Sequence, residues 1–250
     1  KQLKKYKNFH FKKIDLENKK KVENIFIKNK IEIVIHLAAQ AGVRDSLKIP
    51  ESYFKSNFTG FTNIIDVSNK NKVKKFIFAS SSSVYGDKKK FPLNENMKIS
   101  PKNIYSATKK INEDIAYDVS NISSMKIIGL RFFTVYGTFG RPDMFIFKFL
   151  GSLIKNKKFY LFNKGNHYRD YTHIDDVVNI MYSLIKKRIS KKFQIFNICS
   201  NDPIALNKLV NFISNFLNIK PKLIKKKRNY IEVLKTHGDN KKILNFLKIK

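Results

Sequence analysis

Tyr105 and Lys109 stand four residues apart in a stretch that predicts a helix. Residues at that spacing lie on the same helix face one turn apart, so the phenol and the ammonium group can converge on one point. A free tyrosine has a pKa of about 10 and is a poor base at neutral pH, but a nearby positive charge lowers that pKa. The pair could therefore take a proton from a substrate hydroxyl. Taken alone, the spacing is explained better by a solvated helix face in a lysine-rich chain.

Four consecutive hydroxyl groups, Ser80–Ser83, follow the apolar run Phe76–Ala79. In a parallel sheet, ligands bind at the carboxyl ends of the strands, which is where these serines would lie. A serine there can hydrogen-bond a reacting oxygen and share its proton. The alternative is a polar loop whose serines act as caps, although such loops seldom follow a buried strand with four hydroxyls in a row.

Two further strand ends fit the same site. The apolar run Ile31–Leu37 is followed by Ala38–Gly42, where small side chains let a cofactor approach the backbone closely. The run Leu130–Gly137 leads to Arg141, whose guanidinium could make a two-pronged contact with a carboxylate or a phosphate. Three strand ends with polar or small residues therefore predict one shared site.

Short β-rich runs alternate with amphipathic stretches, which indicates an α/β fold with a largely parallel sheet. Strands are predicted at Phe9–Ile14, Ile31–Leu37, Lys75–Ala79, Met125–Phe132 and Phe193–Ile198. Helices are predicted at Glu17–Asn29, Glu51–Asn69, Asn103–Ser120, Asp175–Arg188 and Ala205–Leu217. Nothing like G-x-x-G-x-x-G occurs before Ile31, although a nucleotide-binding fold of this class opens with a glycine-rich turn. Either the fold is a different one, or its first unit is missing from the chain.

Composition narrows the function classes. The 250 residues carry a formal net charge of +32, which invites a nucleic-acid partner. The lysines, however, occur nearly everywhere rather than on one face, and with abundant Asn and Ile they match an AT-rich coding sequence, so no nucleic acid is expected. No apolar run approaches the roughly 20 residues of a membrane span, so no membrane contact is expected. The single cysteine, Cys199, excludes an internal disulfide and a Cys-based metal cluster, and the cytoplasm is the expected compartment.

The motifs together resemble the extended short-chain dehydrogenase/reductase family of nucleotide-sugar epimerases and dehydratases, from about Phe9 to about Leu247. Within it, HLAAQAGVRDSL, ASSSSVYG, YSATKK and RFFTVYGTFGRPDM look most like UDP-glucuronate 4-epimerases. The resemblance implies a Rossmann-like doubly wound parallel sheet lacking its first β-α-β unit, with a smaller C-terminal substrate-binding region. It implies an NAD-binding domain at 1–137 and a mainly substrate-binding region at 138–250, of which 173–200 returns to the sheet. A chain without the glycine-rich unit is expected to bind NAD poorly.

The same resemblance assigns roles to single residues. Tyr105 matches the catalytic base, Lys109 its electrostatic partner and ribose contact, and Ser81 the hydroxyl that holds the reacting oxygen. Asp15 and Leu16 match the residues that contact the adenine of the cofactor. The segment beside the pyrophosphate and ribose is matched by Leu37, Ala38, Ala39 and Gln40. Further cofactor-side positions are matched by Asn57, Ser80 and Phe133. Substrate contacts fall on Ser82, Ser83, Thr134 and Arg141 for a sugar carboxylate, Arg169 for the diphosphate, Phe162 for the uracil and Glu232 for the nucleotide ribose.

The resulting hypothesis is NAD-dependent 4-epimerisation of a UDP-sugar, UDP-glucuronate to UDP-galacturonate, through a 4-keto intermediate. Ser80–Ser83 contain no carboxylate of the kind that dehydratases and decarboxylases of the family carry there, and Arg141 and Thr134 suit an acidic sugar. Another UDP-sugar epimerase, of the UDP-glucose/UDP-galactose type, or a dehydratase is the alternative. A non-catalytic nucleotide- or RNA-binding relative is the alternative from another class. A homodimer through the helices at 51–69 and 103–120 is expected from the family alone.

Overall fold

The computed structural model describes residues 2–227 and 233–249. Its α-helices are α1 Lys19–Lys28, α2 Pro50–Tyr53, α3 Gly60–Lys70, α4 Ile104–Ile122, α5 Phe145–Ile154, α6 Ile174–Lys186, α7 Leu206–Leu217 and α8 Lys241–Leu247. Its strands are β1 Ile33–His36, β2 Lys75–Ser81, β3 Lys126–Phe132, β4 Thr134–Tyr136, β5 Phe159–Phe162, β6 Tyr168–His173, β7 Phe193–Ile198, β8 Pro203–Ala205 and β9 Leu223–Lys226. In these two ranges no helix has both the length and the apolar character that crossing a membrane requires.

The main sheet has the order β1-β2-β3-β7, and all its strands run parallel. The register pairs Ser81 of β2 with Phe132 of β3, and Phe132 with Ile198 of β7. The carboxyl ends of three strands therefore meet at one edge. This confirms the predicted parallel α/β sheet.

Helices cover both faces of the sheet. On one face α1, α3 and α4 bury Phe26, Phe61 and Ala116 against Phe76 and Phe78 of β2. On the other face α6 and α8 pack against Ile77 of β2 and the alternate residues of β3 and β7. Strands buried on both faces read as nearly continuous apolar runs, which is why β2 and β3 could be recognised from composition.

Two small sheets are formed by strands that follow β3 in the chain. One has the order β4-β6-β8, and the other pairs β5 with β9. A separate apolar cluster of Phe149, Leu153, Leu161 and Val210 joins α5 and α7 to β5. These elements carry Thr134, Phe162 and Arg169, three of the residues predicted to contact substrate.

The predicted strand at Phe9–Ile14 is wrong, because this segment forms no strand. Strand structure requires a neighbour that takes up the backbone hydrogen bonds, and no described segment pairs with this one. Phe11 is 63% exposed, whereas Ile14 and the following Leu16 pack against the cluster that contains α1 and α3. Ile14 and Leu16 are thus held by side-chain packing and not by pairing in a sheet.

The predicted helix at Glu51–Asn69 is interrupted by a π-helical turn, Phe54–Thr59, between α2 and α3. The amide of Gly60 donates to the carbonyl of Lys55, one residue further back than in an α-helix. Asn57 lies within this turn and is 1% exposed. Turns of this kind occur often at functional sites, and this one directs the Asn57 side chain toward the segment after β1.

Lys75, the first residue of β2, is a buried cation at the end of α6. Its Nζ donates to the carbonyl oxygens of Leu184 at 2.8 Å, Ile185 at 2.6 Å and Lys187 at 2.9 Å. The last carbonyls of a helix have no partner within the helix, and a cation is favourable at that end. Lys75 therefore fastens α6 to the amino end of the main sheet.

We expect Lys75→Met to lower the free energy of unfolding by about 2 kcal/mol, because it leaves buried carbonyl groups without a donor. Denaturant unfolding followed by circular dichroism measures the loss. Lys74→Met is the matched control, since the neighbouring Lys74 is exposed and makes only a surface ion pair with Glu32. Equal losses in the two variants would contradict the role given to Lys75.

Candidate active site

The hydroxyl cluster lies at the carboxyl end of β2, as predicted. Ser81 is the last residue of the strand, and a short 3-10 helix, Ser82–Tyr85, follows it. The Ser81 Oγ accepts hydrogen bonds from the amide of Ser83 at 3.2 Å and from the Ser83 hydroxyl at 2.9 Å. Because the Ser81 oxygen is the acceptor in both hydrogen bonds, the Ser81 hydroxyl can still donate its own proton to another group.

Tyr105 lies in the first turn of α4 and faces this cluster. Asn103 begins the helix by accepting from the amide of Ser106, whose side chain completes a capping box. The phenol of Tyr105 lies near the Ser81 hydroxyl, and both side chains line the same cavity. Burial raises the pKa of the Tyr105 phenol, while the Ser81 hydroxyl and the charge of Arg141 lower it. The structure thus brings the predicted base together with the predicted serine.

Lys109 contacts the backbone near the end of β2. Its Nζ donates to the carbonyl oxygen of Ala79 at 2.7 Å, and the residue is 2% exposed. Burial lowers the pKa of Lys109 to about 8. Arg141 is a cation that lowers the Tyr105 pKa in this structure, and the electrostatic role of Lys109 stays a prediction. The i, i+4 spacing brings both side chains to β2, but to different groups on it.

A cavity of about 1000 Å³ opens beside Tyr105 and Ser81. That volume is at the upper end of the range for small-molecule sites. Of the predicted site residues, the cavity wall includes Ser81, Ser82, Ser83, Tyr105, Phe133, Thr134, Arg141, Phe162 and Arg169. Among the described residues, eight cationic side chains and two acidic ones line it: Arg44, Lys102, Arg141, Lys148, Lys155, Lys157, Lys158 and Arg169, against Asp45 and Asp143. The cavity therefore suits an anionic ligand.

The arginines of the cavity are held by protein groups. Arg141 Nε donates to Asp143 Oδ1 at 2.9 Å, and its Nη2 also pairs with Asp143. Arg169 Nη1 donates to the carbonyl of Tyr168 at 2.8 Å. The guanidinium of Arg44 lies 5.1 Å from the centre of the Phe162 ring, so one face of that ring is already covered.

The segment after β1 has the open backbone that a dinucleotide would need. Leu37 and Ala38 are exposed and Ala39 is half-buried. Asn57 braces the segment: its Oδ1 accepts from the amide of Gln40 at 2.7 Å, and its Nδ2 donates to the Gln40 carbonyl at 3.0 Å. Small side chains on a rigidly held backbone permit close approach of a cofactor, so these residues fit NAD.

The remaining predicted cofactor and substrate residues are spread more widely. Asp15 is exposed and accepts from the amide of Glu17, whereas Leu16 is half-buried. Ser80 is 3% exposed and its hydroxyl donates to Glu113, so its side chain is directed away from the cavity wall formed by Ser81. Glu232 lies outside the described residues.

Two residues beside the site were not predicted. The Tyr53 hydroxyl donates to the carbonyl of Gly42 at 2.6 Å, and the ring centre of Tyr53 lies 6.3 Å from that of Tyr105. Glu113 lies in α4 and bonds Ser80. The spacing of Tyr105, Lys109 and Glu113, four residues each, was the available signal for Glu113, whereas nothing in the local sequence pointed to Tyr53.

Comparison with known proteins agrees with this geometry. Residues 1–199 match the model of the NAD-dependent epimerase/dehydratase family. The chain is 40% identical over 214 residues to UDP-glucuronate 4-epimerase 4 of Arabidopsis thaliana, a match that covers 78% of this chain and 49% of that protein. It therefore spans about half the length of that relative.

Solved structures share the fold over nearly the whole chain. The UDP-glucuronic acid 4-epimerase from Bacillus cereus, in complex with UDP-glucuronic acid and NAD, matches with a TM-score of 0.93 at 25% identity, covering 100% of this chain and 78% of that one. The UDP-glucose 4-epimerase from Thermotoga maritima with UDP-glucose has a TM-score of 0.91 at 27% identity, covering 98% and 80%. With its parallel sheet, its Tyr105–Ser81 pair and the matched family model, the chain belongs to the NAD-dependent epimerase/dehydratase family.

Proposed function

We propose that this chain acts in the interconversion of the 4-epimers of a UDP-sugar, with UDP-glucuronate as substrate and UDP-galacturonate as product. The observation that carries the proposal is the placement of Tyr105 and Ser81 side by side at the wall of a strongly cationic cavity. A proton-transfer pair next to cations matches a reaction at a hydroxyl of an anionic substrate.

In the proposed mechanism, the Tyr105 Oη takes the proton of the sugar 4-hydroxyl and later returns it. Ser81 hydrogen-bonds the same oxygen, because its hydroxyl proton is not used within the serine cluster. Arg141 favours the phenolate form of Tyr105 during this transfer. NAD, when bound, supplies the acceptor and donor of the hydride on the sugar carbon.

The residues that would hold NAD are those around the segment after β1. Leu37, Ala38, Ala39 and Gln40 would lie against the pyrophosphate and ribose, with Asn57 holding that segment in place. Asp15 and Leu16 would contact the adenine, and Lys109, Ser80 and Phe133 complete the proposed set. Lys109 is already directed to Ala79, and its remaining donors are available for a ribose hydroxyl.

An acidic sugar is proposed because of the charges around it. Thr134, Arg141, Ser82 and Ser83 would hold a carboxylate, with Arg169 on the diphosphate and Phe162 beside the uracil. A UDP-sugar acid carries one more negative charge than UDP-glucose. The excess of cationic over acidic side chains among the described residues of the cavity wall therefore favours the acidic sugar. A UDP-glucose-type epimerase or a dehydratase is the second candidate, supported by the likeness to UDP-glucose 4-epimerase.

Product analysis tests the proposal. The NAD-loaded enzyme is incubated separately with UDP-glucuronate and with UDP-glucose, and the sugar nucleotides are separated by chromatography. We expect UDP-galacturonate from the first and little product from the second. Efficient epimerisation of UDP-glucose alone would favour the second candidate. A salt-sensitive RNA complex with no sugar turnover would favour a non-catalytic binding protein.

Association with the substrate should depend on salt. We expect kcat/KM for UDP-glucuronate to fall by about fivefold to tenfold as ionic strength rises from about 0.02 to about 0.3 M, because the cations of the cavity attract an anion. Initial rates at low substrate measure it. A Lys157→Gln/Lys158→Gln variant should flatten the dependence, since both lysines line the cavity.

The matched control for this prediction lies at the far end of the sheet. Lys191 and Lys192 are exposed and precede β7 at its amino end, so Lys191→Gln/Lys192→Gln makes the same change in net charge. The control should keep the salt dependence of the unaltered chain. If both pairs of substitutions flatten it equally, net charge rather than the cavity is responsible.

A homodimer through the helical segments at 51–69 and 103–120 is also proposed. Phe54 and Phe58 on the first, and Tyr117 on the second, are exposed to 49%, 42% and 53%. Light scattering should give twice the mass of one chain.

We further propose that the chain divides into an NAD-binding part at 1–137 and a mainly substrate-binding part at 138–250. A cytoplasmic location is proposed as well, and the unpaired Cys199 supports it.

A further inference from the structure

Three residues on one face of α4 contact the carboxyl end of β2. Tyr105 lies beside Ser81, Lys109 donates to the carbonyl of Ala79, and Glu113 accepts from the hydroxyl of Ser80. The three helix residues are four positions apart, so the contacts form a row along the helix. The first two belong to the site described above, whereas Glu113 lies deeper and has no part in the chemistry.

Glu113 is the centre of a buried ionic group. Its Oε1 accepts from Arg131 Nε at 2.9 Å, and its Oε2 accepts from Arg131 Nη2 at 2.7 Å. Arg131 pairs across the sheet with Ser80, the residue whose hydroxyl Glu113 also holds. Glu113, Arg131 and Ser80 are 5%, 4% and 3% exposed. One carboxylate therefore joins α4 to two neighbouring strands at their ends.

The group continues below the site. The Arg131 guanidinium lies 4.7 Å from the ring centre of Tyr85, and the Tyr85 hydroxyl donates to Asn197 Oδ1 at 2.7 Å. Asn197 lies in β7, so the group extends across β2, β3 and β7. The ends of all three strands are thus tied by directional contacts directly beside the segment that carries Ser81.

Stability alone does not explain such a group. Removing two charges from water costs much of what their attraction returns, and apolar side chains of similar volume often replace a buried ion pair without loss of stability. Apolar packing alone does not define the orientation of one packed element relative to another. A bidentate ion pair and a hydroxyl contact define how far α4 is rotated and shifted relative to β2.

We propose that Glu113 is a positioning residue of this enzyme: by holding Ser80 and Arg131, it sets α4 so that Tyr105 meets Ser81 and Lys109 meets Ala79. The kinetic part of the proposal rests on the proposed function, whereas the placement of Tyr105 can be measured without turnover. A displacement of about 1 Å at reacting groups is enough to lower a rate by a large factor.

The decisive variant is Glu113→Leu/Arg131→Met. It removes both charges together, so the net charge near Tyr105 is unchanged, and apolar side chains replace the ion pair. We expect a protein that still unfolds cooperatively, with kcat for UDP-glucuronate lowered about tenfold or more and KM changed by less than about threefold. Ser80→Ala is the second variant, since it removes one contact and keeps the ion pair should the double variant fail to fold.

The titration of the Tyr105 phenol separates a positioning role from a purely structural one, because a loss of stability alone would not change it. The groups that act on its phenol are Ser81 of β2, Arg141 and Tyr53 of α2. With 3-fluorotyrosine at position 105, fluorine NMR follows the phenol at accessible pH. We expect its apparent pKa to rise in both variants, toward the value in Ser81→Ala, because the contact with Ser81 loosens.

Lys75→Met serves as the control for lost stability, since Lys75 lies at the opposite end of β2. It should leave both the titration and kcat unchanged. The proposal is overturned if the folded double variant and Ser80→Ala keep the titration of the unaltered chain, or if Lys75→Met shifts it equally. Absence of UDP-sugar turnover in the unaltered enzyme would instead count against the proposed function, because the titration is recorded without substrate.

Discussion

Tyr105→Phe should lower kcat for UDP-glucuronate by about a thousandfold, within the range by which a positioned acid–base group accelerates proton transfer. The variant loses only the hydroxyl, and the ring keeps its edge contact with Tyr53. KM should therefore change by less than about threefold, since the sugar nucleotide is held mainly by the cations of the cavity. Initial rates over a range of substrate concentrations measure both constants.

Tyr117→Phe is the matched control for this variant. Tyr117 lies on the same helix and is 53% exposed, so the loss of its hydroxyl should leave kcat unchanged. Wild-type turnover in Tyr105→Phe would exclude Tyr105 as the base. A large loss in both variants would point to damage to α4 rather than to the loss of a proton-transfer group.

The pH dependence follows from the same residue. The proposed base is the Tyr105 phenolate, and burial raises the pKa of Tyr105. The phenolate fraction therefore grows as pH increases toward that pKa, and kcat/KM should rise with pH over the neutral and mildly alkaline range. Tyr105→Phe should lose this rise. A pH profile that falls over the same range would contradict the assignment.

Arg141→Gln should reduce kcat/KM for UDP-glucuronate by about 30-fold to 100-fold, the range expected for a lost charge-assisted hydrogen bond. Two effects contribute. Arg141 is proposed to hold the sugar carboxylate, and its charge also lowers the pKa of Tyr105. Only the first effect depends on the carboxylate, so any residual turnover of UDP-glucose should decline by a few-fold at most.

Arg44→Gln is the control for Arg141→Gln, because Arg44 is another cation of the same cavity and lies over Phe162. It should reduce the two activities by similar factors. The same comparison of UDP-glucuronate with UDP-glucose is made for each variant. Equal losses on both substrates in Arg141→Gln would remove the proposed contact with a carboxylate.

The residues of the main sheet could be predicted because burial on both faces leaves a local signature. The runs that became β2 and β3 are apolar almost throughout, and Ser80–Ser83 mark where β2 ends. The segment Phe9–Ile14 has only three apolar residues among six and forms no strand, because pairing depends on a neighbour and not on composition. The π-helical turn at Phe54–Thr59 could not be predicted, since its residues are ordinary helix formers.

The spacing of Tyr105 and Lys109 was sufficient to predict that both face β2, because helix geometry is local. Their partners were not predictable, because partners come from other elements. The groups that lower the pKa of the phenol are Ser81 and Arg141, the latter some 36 residues further along the chain. Ser80, adjacent to Ser81, turns to Glu113 because successive residues of a strand point to opposite faces.

The sequence by itself determined which residues form the parallel sheet, where the strands end and which helix carries Tyr105 and Lys109. Those properties follow from the periodicity and burial of apolar residues, which depend on residues that are close together in the sequence. Only the tertiary structure decided which cation acts on Tyr105 and how Glu113 ties α4 to the strand ends. Each of these depends on distances of a few ångströms between residues far apart in the chain, and electrostatic effects and hydrogen bonds change steeply over such distances.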